Sequence, residues 1–307
     1  MRKATMKDIA EQAGVSVATV SYIINNASNQ SIPESTRVKV LQIAKEIGYV
    51  PNLAARSLIK NKTGLAGILI NKTGMPSSRA TFEQLAFISE LERLLTAAGY
   101  HLIMFTFDGT DPASLNVITE RKLDVVFLLD VMDDIFYTVS GNFGIGVPLI
   151  LIDSLISDNL FKQVIYDYEA ALSKAVEALD APHCLFIEKS NNAGYMTYIE
   201  ECATALRIPT YPYGNMDELD ALLYAVAPYR QAIVMNEFTA NHIRNKEIME
   251  KLAVICSCGC PEMLRNDIIP ITFASKAALA YSVMTKLLAR DEQSILDEQT
   301  VFRVAVQ

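Results

Sequence analysis

Val17, Ala18, Ser21 and Tyr22 recur at spacings that put them on one outward face of a short helix, and their chemistry suits reading a surface. The major groove of a DNA duplex admits a helix and shows a distinct donor, acceptor and methyl pattern for each base pair. On such a helix Val17 and Ala18 are expected to touch thymine methyls and Tyr22 to supply a polar contact, with Thr19 or Ser21 serving phosphates. Groups that make or break bonds are scarce. Gly141-Asn142-Phe143-Gly144-Ile145-Gly146 has the wrong glycine order for a dinucleotide fingerprint and precedes a strand where it should open a helix. There is no phosphate loop, nucleophile elbow or zinc-protease signature, and three histidines leave few acid-base candidates. The pattern argues against an enzyme, and no cofactor is expected.

The elements around that face are written locally. Thr5, followed three residues later by Asp8, forms a capping box that opens a helix over Met6 to Ala13. Gly14 ends it, because glycine takes the left-handed conformation past a helix end without steric cost. Ser16 caps a second helix from Val17. Ile9, Ala10 and Ala13 on the first helix face Val20 and Ile23 or Ile24 on the second, leaving Val17, Ala18, Ser21 and Tyr22 outside. A third helix is readable from Glu34 to Ile47, with Pro33 at its start, Val40, Leu41, Ala44 and Ile47 on one face, and Gly48 beyond its end. Small helical hairpins with a glycine turn also occur without touching DNA, so the turn alone leaves DNA binding open.

The runs Ala4-Thr5-Met6-Lys7-Asp8-Ile9-Ala10, Val15-Ser16-Val17-Ala18-Thr19-Val20-Ser21 and Tyr49-Val50-Pro51-Asn52-Leu53-Ala54-Ala55-Arg56-Ser57-Leu58 closely resemble the LacI/GalR family of bacterial transcriptional regulators. The likeness is near-continuous over residues 4 to 60. It implies a homodimer on double-stranded DNA with a palindromic operator, and hinge segments, Asn52 to Ile59 here, that pair in the minor groove. Each hinge inserts a leucine there, and the matching residue is Leu58. The physics agrees: a segment this short is marginal as an isolated helix, Ala54 and Ala55 permit close approach, and Asn52 can cap. The DNA-contacting set is therefore Thr5, Ser16, Val17, Ala18, Thr19, Ser21, Tyr22, Asn52, Ala55 and Leu58.

At 307 residues the chain suits a small head and a larger two-lobed body. Its net charge of −8 is unevenly spread: residues 1 to 62 hold nine basic against four acidic residues, a net of +5, which leaves −13 on the remainder. A basic head attracts phosphate while an acidic body is repelled by it. Five cysteines, an odd number, argue against a disulfide framework. Cys256-Ser257-Cys258-Gly259-Cys260 lacks a second ligand pair, so buried thiols at a strand end and its turn are expected there, with no metal. With neither a long apolar run nor a signal core, a cytosolic protein with no membrane partner is expected.

From Leu65 apolar runs of strand length alternate with helical stretches: Leu65 to Ile70, Phe82 to Ala98, His101 to Phe107, Val125 to Leu129, Val147 to Ile152. After Asp153 the alternation restarts with Gln163 to Tyr166, Tyr168 to Leu179, His183 to Ile187, a helix toward Leu206 and Ala232 to Met235. It closes with a late helix over Ser275 to Ala289 and a strand over Thr300 to Val306. Buried strands separated by helices imply parallel sheets covered on both faces. The expected fold is α/β: a three-helix helix-turn-helix head (1–50), a hinge (51–62), and an effector-binding, dimerising body of two doubly wound lobes (63–307), similar to periplasmic sugar-binding proteins. The resemblance puts a small-molecule effector, such as a sugar or sugar derivative, in the cleft between lobes. By alignment Asp153, Tyr198 and Glu237 are the effector-binding candidates; polar residues at element ends facing water are the plainer reading. The family usually has Asp where Glu237 stands and a ligand-binding Arg where Tyr198 stands. Its Gly-Phe-Asp is replaced by the Cys-Ser-Cys-Gly run. The expected function is a repressor of carbohydrate genes. The alternatives are a DNA-binding regulator whose body answers to a protein partner or to no ligand, or a solute-binding protein.

Overall fold

Thr5 and Asp8 form the capping box at the start of α1 (Met6–Ala13), and Gly14 closes that helix at φ 72°. Ser16 Oγ accepts from the Thr19 amide at 3.0 Å and starts α2 (Val17–Ile24). Pro33 precedes α3 (Glu34–Glu46), which ends before Gly48 at φ 65°. Ile9, Ala10, Ala13, Val20, Ile23 and Val40 are the buried centre of this head. One expectation fails: Leu41 is 48% exposed, whereas Ile43, Ala44 and Ile47 pack on the core. Those three lie three, four and seven residues after Val40, on its own stripe, and Leu41 is rotated off it.

This computed structural model describes residues 4–24, 31–49, 62–72, 78–108, 111, 122–143, 146–180, 182–226, 228–289 and 299–307. The chain divides into two compact units, 1–63 and 64–307. Within the second, the first lobe is built from β1 (Leu65–Asn71), α4 (Ser78–Ala97), β2 (His101–Phe107), β3 (Val125–Leu129), α5 (Asp133–Ser140), β4 (Leu149–Ile152) and β5 (Lys162–Tyr166). The second lobe holds α6 (Tyr168–Ala178), β6 (His183–Glu188), α7 (Ala193–Ala205), β7 (Thr210–Tyr213), α8 (Met216–Ala225), β8 (Gln231–Met235), α9 (Glu237–Asn245), β9 (Lys251–Ile255) and β10 (Ile269–Ile271). The chain then returns to the first lobe with α10 (Lys276–Leu288) and β11 (Val301–Val304).

Both sheets are parallel, ordered β2-β1-β3-β4-β5-β11 and β7-β6-β8-β9-β10. Each is a doubly wound sheet whose order reverses beside its first strand, and ligands of such sheets lie beyond the carboxyl ends of the strands near that point. The inner strands β3 and β4 are buried throughout, which explains their unbroken apolar sequences. The largest core cluster takes residues from both sheets and from the connections between them, including Tyr166, Tyr168 and Tyr195. Among the described residues no helix is long and apolar enough to cross a membrane.

Candidate functional site

On α2 the outward face is formed by Val17, 46% exposed, Tyr22, 41% exposed, and exposed Ala18. Val20 and Ile23 beneath them hold the helix on the core. Ser16 and Thr19 share a hydroxyl–hydroxyl hydrogen bond of 2.9 Å as well as the cap, so their first task is to shape the helix start. Thr5 is likewise engaged: its amide and its hydroxyl each donate to the Asp8 carboxylate at 2.7 Å. Ser21 is half-buried. The side chains with no capping duty on this face are the three expected to meet base edges. Asn52, Ala55 and Leu58 lie outside the described residues.

In the body a cavity of about 360 Å³ opens between the lobes. Glu83, Phe87 and Glu90 of α4, Tyr166 at the end of β5 and Lys276 at the start of α10 wall one side; Cys256 to Gly259, after β9, wall the other. A recess of about 30 Å³ shares Glu83 and Phe87 with it and is closed by Asp130, Asp153, Ser190 and Tyr195. The sequence positions these groups through strand ends. Asp130, Asp153 and Asn236 terminate β3, β4 and β8 with φ of 54°, 51° and 106°. Asn236 holds a conformation that only glycine adopts easily, and Asp130 and Asp153 are the two of these strand ends that line the recess.

The cleft is closed by direct contacts. Tyr166 donates from its hydroxyl to the Ser257 carbonyl at 3.0 Å, and Phe82 of α4 stacks on Phe238 of α9 at 4.0 Å. Asn192, fully buried, caps α7 and binds the first lobe with its whole amide: Oδ1 accepts from Leu155 N at 2.9 Å, and Nδ2 donates to the Val131 carbonyl at 2.9 Å and to Asp133 at 2.5 Å. Lys276, 5% exposed, pairs with Asp153, and its Nζ sits 3.9 Å from the centre of the Tyr166 ring. Asp153 also accepts from the Tyr195 hydroxyl at 3.3 Å. Burial pushes the Tyr166 and Tyr195 phenols well above their ordinary range, with Glu83 and Asp153 adding to both.

Of the three effector candidates, Asp153 lines the recess. Tyr198 is not among the residues walling either space: its hydroxyl accepts from the Tyr168 amide at 3.2 Å, and its ring lies under Arg303. Burial raises its phenol to about 12. Tyr195, one helical turn earlier, occupies the recess in its place. Glu237 is completely buried and accepts from the amides of Cys258 at 3.1 Å and Cys260 at 2.8 Å, so it holds the cavity wall from behind. Its carboxyl is raised, by burial first, against the lowering effect of those amides. Cys256 and Cys258 are buried free thiols at the end of β9 and in its turn, as expected. Burial and then Glu237 push Cys256 to about 12 and Cys260 to about 11. Residues the sequence did not single out include Glu83, Asp130, Asn192, Tyr195 and Lys276; an asparagine at a helix cap and a lysine opening a helix were the signals available.

Head and body together define a class: a helix-turn-helix module and a two-lobed α/β body with a cleft at its strand ends. Residues 5–52 match the family described as "Bacterial regulatory proteins, lacI family", so the head is a lacI-family domain, and the likeness to LacI/GalR regulators read from the first sixty residues holds. The chain is 32% identical over 185 residues to catabolite control protein A of Priestia megaterium, covering 58% of this chain and 52% of that one. It is 35% identical over 133 residues to the ribose operon repressor of Escherichia coli (strain K12), covering 41% and 37%. The chain thus spans about half the length, or less, of these relatives. Among solved structures, the Lac repressor bound to ONPG in its repressed state superposes with a TM-score of 0.70 over 100% of this chain and 98% of that one, at 17% identity. That likeness speaks to the fold, an N-terminal head on a periplasmic-binding-protein-like body.

Proposed function

We propose that this chain is a sequence-specific DNA-binding transcriptional regulator and no enzyme: a cytoplasmic, homodimeric repressor of carbohydrate uptake or use, controlled by a small molecule between the lobes of its body. The lacI-family head with its exposed Val17, Ala18 and Tyr22 carries the reading. The relatives support it through what they are named for: ribose and sucrose operon repressors, and a CelR regulator in complex with cellobiose. We assign the head to 1–50, the hinge to 51–62 and the effector body to 63–307. A dimer follows from mechanism, because one short recognition helix makes too little contact and a two-fold pair reads a palindrome. Selection of bound sequences from a random duplex pool by the full chain tests it; recovery of no palindrome overturns it.

Two predictions belong to the head and hinge. Tyr22→Ala is expected to change the preferred half-site, with about 1 to 3 kcal/mol lost at one base position, whereas Lys39→Ala weakens all sequences evenly. The check is the same selection repeated with each variant, and an unaltered preference in Tyr22→Ala removes that residue from base reading. Leu58→Ala is expected to weaken operator binding about tenfold or more, since the unstacking wedge is gone, while the melting of the body stays put. Operator titration beside calorimetry measures both.

A second reading has its own support. Asn192, Tyr166 and the Phe82–Phe238 stack close the lobes through protein contacts alone, which suits a body that answers to a protein partner or to nothing. A screen of sugars, sugar phosphates and nucleosides by thermal shift separates the two, because a ligand at a hundredfold excess over its dissociation constant adds about 2.7 kcal/mol.

A further inference from the structure

We propose that closure of the lobes is linked to proton uptake: the closed body carries Glu237 as the neutral acid, and the open body carries it ionised. The link adds a proton to whatever else controls the cleft, and it holds for a body that answers to a small molecule or to a protein partner.

Glu237 opens α9 on the second lobe, and the first lobe lands on both sides of it. Phe238, the next residue, takes the ring of Phe82 at 4.0 Å. The Glu237 carboxyl sits in a cradle made by the Cys258 and Cys260 amides. Ser257, one residue before that cradle, receives the Tyr166 hydroxyl on its carbonyl at 3.0 Å. Glu83, beside Phe82 on α4, is buried and walls both spaces between the lobes. Parting the lobes therefore takes Phe82, Glu83 and Tyr166 off the rim of the cradle together, and lets water reach the carboxyl.

Closing strips hydration from Glu237, which disfavours its charged form. The two amides belong to its own lobe and favour the charged form in both states. In the closed cleft burial outweighs them: the carboxyl is raised, and Glu83 adds to the rise. The other titratable groups around it offer no opposing charge. On its own lobe these are the Cys256 and Cys260 thiols, pushed up to about 12 and about 11, with Cys258 in the same turn, Glu262 beside them and Glu188 in reach of Asn236 at 3.5 Å. From the first lobe come Glu83 and the Tyr166 phenol, which both Glu83 and Glu237 push up. Lys276, the one cation among the described residues that wall the two spaces, is spent on Asp153.

Glu237 thus holds its proton more tightly closed than open. The closed form has its full advantage below the open-state pKa and loses it as the pH rises through the raised, closed-state value. One proton changes the ratio of closed to open by at most about tenfold per pH unit in that window. The remaining interlobe acids act in the opposite sense. Asp130, Asp133 and Asp153 accept from Asn191, Asn192 and Tyr195 of the second lobe, so protonating them loosens closure. The sign of the pH effect therefore identifies the group responsible.

Small-angle scattering of the full chain from about pH 8 down to about pH 5 tests the link, with the forward scattering showing that the oligomeric mass is unchanged. The radius of gyration is expected to fall as the pH falls, with the closed fraction rising about twofold or more. Glu237→Gln, uncharged at every pH, is expected to stay compact and to flatten the dependence. If that variant does not fold, Glu83→Gln serves: it removes a negative neighbour and is expected to move the transition to lower pH. A wild-type radius that is constant, or that rises on acidification, overturns the link. So does a Glu237→Gln chain with the wild-type dependence, or a Glu83→Gln chain whose transition does not move. Closure of the body is the only quantity read, so a negative result leaves the DNA-binding assignment standing.

Discussion

Asp153→Ala is expected to destabilise the body by about 3 to 5 kcal/mol, because it strands the Lys276 ammonium, 5% exposed, without its counter-charge. Two neighbours soften the loss without cancelling it. The Tyr166 ring keeps the ammonium on its face at 3.9 Å, and the Tyr195 hydroxyl still reaches that of Tyr168 at 3.2 Å. The backbone adds to the cost: Asp153 stands at φ 51°, where a short polar residue is tolerated and alanine pays about 1 to 2 kcal/mol. Asp153→Asn therefore separates the two effects, since asparagine accepts the backbone and removes the charge. Asp153→Asn should lose less than the alanine variant, and adding Lys276→Met to it should recover most of what was lost. Urea unfolding of the full chain, followed through the body's transition, reads all three. If Lys276→Met alone costs as much as Asp153→Ala, the lysine is valued for its packing and the stranded-charge account fails.

That pair also shows where reading the sequence stops. Asp153 and Lys276 are 123 residues apart, and nothing local to either announces the other. The head is the opposite case. Thr5, Asp8, Gly14 and Ser16 act within three or four residues of themselves, so capping and turn chemistry located both ends of α1 and the start of α2. In α3 the same local reading chose Leu41 over Ile43, because an apolar residue on either side of Val40 fits a stripe loosely and only packing decides. In the body, β3 and β4 were legible as unbroken apolar runs. β7 and β10 were missed: both are edge strands interrupted by a proline, Pro212 and Pro270, and edges tolerate what inner strands do not. α8, after β7, and α9, after β8, carried cap signals, Asn215 and Asn236, that were not read. At the cleft, alignment pointed to Tyr198, whereas Tyr195 on the same helix is the residue that lines the recess. The two differ by one turn, and only the burial of one and the engagement of the other separate them.

Gly194→Ala is expected to hold the lobes apart and to alter operator binding from a position in neither the head nor the hinge. A methyl group at Gly194 would lie 2.6 Å from the Leu155 carbonyl oxygen, with backbone on both sides of the contact and no flexible side chain to yield. Gly194 belongs to α7 in the second lobe and Leu155 to the loop after β4 in the first, so relief of the clash must move one lobe from the other. The bonds lost first are those beside it: Gly194 N to Asp133 at 3.3 Å, Leu155 N to Asn192 at 2.9 Å and Asn192 to the Val131 carbonyl at 2.9 Å. Each is worth about 0.5 to 1.5 kcal/mol, and Asn192 has no water to turn to where it is buried. The radius of gyration from small-angle scattering should rise while the secondary structure stays unchanged. If closure of the body governs the pairing of the hinges, operator affinity should shift by about 1 to 3 kcal/mol, the usual size of coupling between distant sites. A variant with open lobes and unaltered operator affinity would separate the cleft from the DNA and favour a body that carries no signal. A variant with unaltered scattering would mean that the Leu155 loop gives way locally, and the clash would then be no measure of closure.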